Sequence, residues 1–243
     1  MLKKELTQMS KFTRTPILTL SIVAACVLAL LGLFLLRSEE SSAAPHKGKY
    51  GAIEFVVSDD TNGKRAMISY SRNSKDDLVA YASTNQDLLY ELVGQGAKVI
   101  TGQIVFVRPL DPEEFTQIVS DYDVSVESYV LRGISNSGER ITIFGAPSDA
   151  ELIPSATWQQ SENILKAKNE QTRIAGVITV EGQIKVANAQ RLFRDERVFV
   201  VDVSTEFVRR QLQVEFEGNT PVRVDNLFPL YWFLEDYGIA KSQ

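Results

Sequence analysis

An uninterrupted apolar run near the N-terminus limits this chain more than any other feature. Residues 16–36, PILTLSIVAACVLALLGLFLL, are 21 residues without a charge. As a helix rising about 1.5 Å per residue, the run spans roughly 31 Å, close to the hydrocarbon thickness of a bilayer. A helix satisfies its backbone hydrogen bonds internally, so one such segment can cross lipid alone. The run reads as an uncleaved transmembrane anchor. A cleaved signal peptide fits less well, because its apolar region usually has about 7–15 residues. The small-residue stretch Ser42-Ala43-Ala44 also comes only after Arg37, Glu39 and Glu40. Val23-Ala24-Ala25-Cys26 resembles a lipoprotein signal, but ten further apolar residues follow Cys26.

The flanking charges orient the anchor. Lys3, Lys4, Lys11 and Arg14 precede it, whereas Arg37 is followed at once by Glu39 and Glu40. Basic residues stay on the cytoplasmic side. Residues 1–15 are therefore expected to be a cytoplasmic tail, with the C-terminal domain outside the cytoplasm of a bacterial cell. Residues 37–49 are small and polar and contain Pro45, which predicts a flexible tether.

The chain holds 26 basic and 31 acidic residues; five and one of these lie in residues 1–37, leaving 21 and 30 and a net charge of −9 for the body. Nucleic-acid binding needs lysine and arginine to release counterions, so an acidic body argues against that partner. With 44% hydrophobic and 23% charged residues, the composition is that of a chain that can bury a core.

Two stretches of the body match at an offset of 74 residues: Ile100 with Ile174, Gly102 with Gly176, Ile104 with Ile178, Asp121 with Asp195 and Val124 with Val198. Ser74 also pairs with Ser148 and Leu78 with Leu152, and expected elements fall into the same register. In residues 50–123, strands at 50–58 and 66–71 flank the turn Asp60-Thr61-Asn62-Gly63, where Asn-Gly suits a type I′ hairpin. Ser74 caps a helix over 75–93, a strand covers 98–107, and Asp111-Pro112-Glu113-Glu114 opens a short helix. In residues 124–205 the expected order is strands at 124–131 and 140–144, a helix broken by Pro154 and restarted at Ser155, a strand at 173–180, a helix at 184–194 and a strand at 198–204. Residues 206–243 hold an expected strand at 212–216 and an aromatic segment. The predicted class is α+β. Residues 98–180 run β-α-β-β-α-β, so the body reads as a duplicated ferredoxin-like antiparallel sheet with helices on one face.

The lone histidine, His46, lies in the tether, and the lone cysteine, Cys26, in the anchor. The body therefore lacks Ser-His-Asp or Cys-His machinery and the usual zinc, haem and iron–sulfur ligands. It has no phosphate-cradling glycine loop. No cofactor and no classical enzyme activity are expected. Carboxylate chemistry, as in a polymer hydrolase, needs only two acids. The candidates are Asp111, Glu113, Glu114, Asp121, Asp123 and Asp202, most of them at turns and helix starts, where acids serve as caps. Ser58, Asp60, Asn62 and Gly63 partly resemble a calcium loop, but Ser69 stands where a bidentate glutamate belongs. Gly102 and Gly176 read as bulges or close-packing points. Phe228, Tyr231, Trp232, Phe233 and Tyr237 crowd the C-terminus and are candidate partner contacts, because aromatics are enriched at interfaces. The expected function is a non-catalytic binding or sensing domain, held at the membrane, for another envelope or membrane protein. A carboxylate-based envelope hydrolase or a structural subunit of a larger membrane complex are the alternatives.

Overall fold

Among the described residues every strand pairing but one is antiparallel, and the hairpin of residues 53–70 shows how such a pair builds a core face. β2 (Ile53–Asp60) and β3 (Gly63–Tyr70) alternate buried and exposed residues, so Ile53, Phe55, Val57, Ala66, Ile68 and Tyr70 share one inward face. The computed structural model describes residues 46–135, 137–168, 172–216, 220–226 and 230–240. The expected tail and anchor lie outside these residues. Among the described residues, no helix is long and apolar enough to cross a membrane.

Two sheets make the architecture α+β. In the four-stranded sheet, β1 (His46–Tyr50) pairs antiparallel with β2, and β9 (Val222–Asn226) pairs parallel with β3, giving the order β1-β2-β3-β9. The last residues of the expected tether are thus strand. The hairpin turn is Thr61-Asn62, not Asn-Gly. Gly63, at φ 149°, adjoins the turn; a Cβ there would lie 2.2 Å from the Pro221 carbonyl oxygen, which accepts from the Lys64 amide at 2.9 Å. Glycine is needed here so that β9 can approach.

The five-stranded sheet has the order β6-β5-β7-β4-β8, all antiparallel. Its strands are β4 (Val99–Leu110), β5 (Ser125–Ile134), β6 (Arg140–Gly145), β7 (Arg173–Lys185) and β8 (Val198–Asp202). Among the described residues six helices accompany the sheets: α1 (Lys75–Gly94), α2 (Pro112–Asp121), α3 (Ser155–Lys168), α4 (Val186–Leu192), α5 (Ser204–Glu215) and α6 (Leu230–Asp236). Caps act where expected. Ser74 Oγ accepts from the Asp77 amide at 3.2 Å, and Asp111 Oδ1 accepts from the Glu114 amide at 2.8 Å, with Pro112 in the first turn. Ser148 accepts from the Glu151 amide but starts no helix; the helix begins after Pro154, at Ser155.

The strands at 125–134, 140–145 and 173–185 do not lie side by side in chain order. β6 lies at the sheet's edge beside β5, so β6 and α3 are inserted between β5 and β7. The connections through α2 and α4 then give β4-α2-β5 and β7-α4-β8, whose strands are adjacent in the order β5-β7-β4-β8. β4 and β7 begin at Val99 and Arg173, α2 and α4 at Pro112 and Val186, and β5 and β8 at Ser125 and Val198, separations of 74, 74 and 73 residues. Residues 204–215 form helix α5, where a strand was expected at 212–216. Phe207, Val208 and Leu212 make its buried side, a helical spacing that a five-residue window hides.

Candidate functional site

The five-stranded sheet has two unlike faces. Ile100, Ile104, Val180 and Ile184 sit at paired positions and are buried, and Tyr129 joins this face opposite Val180, its ring 6.1 Å from that of Phe115 in α2. On the other face a polar row crosses four strands: Ser128 pairs with Glu181, Glu181 with Gln103, and Gln103 with Asp202. Ser125, Gln183 and Thr101 form a second polar row beside it.

Over part of that polar face lies a cleft of about 440 Å³. Its floor includes Thr101, Gln103, Glu181 and Asp202. One wall is the start of α5, with Thr205, Glu206 and Arg209, and the other is β9, with Val224, Asp225 and Asn226. The two sheets therefore meet at this cleft.

Its acids differ in how far they are already engaged. Asp202 is buried and has four donors. Oδ1 accepts from the Ser204 amide at 3.0 Å and the Ser204 hydroxyl at 2.6 Å, and Oδ2 accepts from the Tyr81 hydroxyl at 2.6 Å and Asn226 Nδ2 at 3.0 Å. A carboxylate offers about four lone-pair sites, so Asp202 is filled. It ties α1, α5 and β9 together. Burial, and then the adjacent Asp202 carboxylate, push the Tyr81 hydroxyl well above its ordinary pKa, which keeps it a donor. Glu206 accepts from Arg209 and Arg210, each at 2.5 Å. Asp225 accepts from Arg65 at 2.6 Å and Arg223 at 2.9 Å; burial alone would raise its pKa, but these hydrogen bonds and charges outweigh burial and hold it below the usual range. Glu181 differs from all three. It is exposed and accepts only a long bond from the Ser128 hydroxyl, 3.4 Å, among the described residues.

Of the acids singled out in the sequence, the structure brings only Asp202 to the cleft. Asp111 is the α2 cap, and Glu113 lies in the same first turn. Glu114 chelates Arg108 at 2.7 and 2.5 Å, and the hydrogen bond from Arg108 holds its pKa below the ordinary value. Asp121 ends α2, and Asp123, at φ 50°, pairs with Lys185 at 2.5 Å. Glu181, Glu206 and Asp225 were not singled out. The missed signal is the alternation Val180-Glu181-Gly182-Gln183-Ile184-Lys185, which extends β7 beyond its expected end. At Gly102 a Cβ would stand 3.0 Å from the Asp202 carbonyl oxygen, and at Gly176, φ 142°, it would stand 2.2 Å from that of Leu110. Both are close backbone approaches. In the partly calcium-like loop, Asp60 Oδ1 accepts from the Thr61 amide at 2.7 Å, and Asp59 pairs with Lys64.

The described C-terminal aromatics are divided between core and surface. Tyr231 is buried, and Phe233 is half-buried beneath the Arg72 guanidinium, 4.8 Å from its ring. Trp232 and Tyr237 each keep 37% of their surface exposed. The Trp232 indole donates to Thr142 Oγ1 at 3.1 Å, and the Tyr237 hydroxyl to the Arg72 carbonyl oxygen at 3.0 Å. Phe228 lies outside the described residues. Compared with family models, with curated proteins and with solved structures, the chain has no match in any of the three, so function is argued from the site alone.

Proposed function

We propose that this chain is a single-pass bacterial membrane protein with a cytoplasmic N-terminus, whose body outside the cytoplasm is a non-catalytic binding module for an extended, basic segment of another envelope or membrane protein. We read the body as a ferredoxin-like sheet made by duplication. The support is the β4-α2-β5 and β7-α4-β8 connectivity and its near-constant 74-residue spacing. Membrane attachment rests on the apolar run at 16–36 and its flanking charges.

One observation carries the binding reading: three of the four cleft carboxylates are already held by donors of the chain itself. General acid–base work needs a carboxyl free to exchange a proton with substrate. Asp202, Glu206 and Asp225 are committed to structure, which leaves Glu181 beside the amide of Gln103 and the hydroxyls of Thr101 and Thr205. These groups suit a chain that offers amides and a cationic side chain.

The test compares capture of a membrane partner by the full-length chain, solubilised in mild detergent, with capture by Glu181→Lys and Gln103→Arg. Both substituted residues are at least partly exposed, so stability should change by less than about 0.5 kcal/mol. Capture should fall about tenfold or more. Hydrolysis of envelope polymers by the intact chain would replace the binding reading with the carboxylate hydrolase. Capture insensitive to both changes would move the contact away from the cleft, to Trp232 and Tyr237.

A further inference from the structure

We infer that β6 is a self-association edge, along which a second copy of this chain adds its own β6 antiparallel to extend the five-stranded sheet. The inference is independent of the cleft. Among the described residues β6 pairs only with β5, so its other side presents unpaired backbone donors and acceptors. The strand is Arg-Ile-Thr-Ile-Phe-Gly, and Phe144 is 77% exposed, a large aromatic with little cover of its own.

The sequence of β6 is complementary to itself in one register. A twofold axis perpendicular to the sheet keeps each side chain on its own face, so residues can pair only when both point the same way. With the axis through Thr142, Ile141 lies opposite Ile143 of the partner subunit, and Phe144 opposite Arg140 of the partner subunit. Arg140 is already arranged to receive an aromatic ring. Its guanidinium lies 5.8 Å from the Trp232 ring centroid and is held by Glu235 at 3.1 Å and Asp236 at 2.6 Å. Phe144 would cover that held cation and form a cation–π pair across the strands. On the axis, Thr142 Oγ1 accepts from the Trp232 indole and from Arg132, so the half-exposed Trp232 of each copy would be covered as well. Six residues a side form a small contact, which implies a reversible, concentration-dependent dimer.

Two substitutions at one exposed position test both the edge and the register, using the full-length chain in mild detergent and sedimentation equilibrium. Phe144→Lys sets like charges opposite each other and should weaken the dimer about tenfold or more, whereas Phe144→Glu faces Arg140 and should keep it. At dilutions where the unmodified chain is monomeric, circular dichroism melts of both should match it. A monomeric unmodified chain, a dimer unaffected by Phe144→Lys, or equal dissociation by both substitutions would each overturn the inference.

Discussion

The hairpins β2–β3 and β5–β6 each precede a helix, α1 and α3, yet they are held in different ways. β2–β3 buries six apolar side chains on one face and forms a separate sheet with β1 and β9. In β5–β6 only β5 reaches the core; no residue of β6 is fully buried, and the strand leans on α6 through charge. Arg132, its side chain wholly buried, donates to Glu235 at 2.7 Å and lies 5.2 Å from the Trp232 ring. A similar order of elements thus builds a closed apolar layer where both strands alternate cleanly, and a half-open edge where the returning strand does not.

The largest expected effect falls on the charged side. Glu235→Ala leaves Arg132 buried without its main counter-charge, which costs about 3–5 kcal/mol. Hydrogen exchange should quicken in β6 before β2–β3. A loss below about 1 kcal/mol in denaturant unfolding would mean that the clamp does not hold the second hairpin. On the apolar side, Ile68→Ala should cost about 2–5 kcal/mol and leave β6 exchange, relative to global unfolding, unchanged.

A smaller effect lies at Asp195, in the loop before β8. Its carboxylate accepts from Arg197, from the Arg197 amide and from the Tyr122 hydroxyl, and these hydrogen bonds outweigh burial, lowering its pKa from 3.8 to about 2. A carboxyl lowered on folding stabilises the protein above its unfolded pKa. That contribution, roughly 2 kcal/mol, is complete above about pH 4 and is lost as pH falls through about 2. Asp195→Asn should remove this acid step from a stability–pH profile and leave the shape at higher pH unaltered. The smallest effect is that of Phe144→Ser, within about 0.5 kcal/mol, because the side chain is largely exposed.

Local chemistry was legible where a single residue type decides it. The caps at Ser74 and Asp111, the restart at Ser155 and the hairpin at residue 60 could each be read from side-chain propensity. Pairing could not, because strand order depends on contacts far apart in sequence. Nothing local tells β6 to lie outside β5, or β9 to run parallel to β3 through the Pro221 carbonyl. The cleft was hidden for the same reason. Its residues come from β4, β7, β8, α5 and β9, and only Asp202 and Gly102 stood out beforehand. Composition alone could not divide the aromatic cluster: Tyr231 is buried, whereas Trp232 and Tyr237 stay partly exposed.

The claim that the cleft receives a partner protein is tested most directly by a photo-crosslinking amino acid placed in the full-length chain in living cells. Position Gln103 lies in the cleft floor, and Val79, half-exposed on α1, serves as the reference. The expected result is a discrete protein adduct from position 103, absent from position 79 and suppressed by Glu181→Lys. Equal adducts from both positions, or none from position 103 while the chain is folded and membrane-bound, would contradict it.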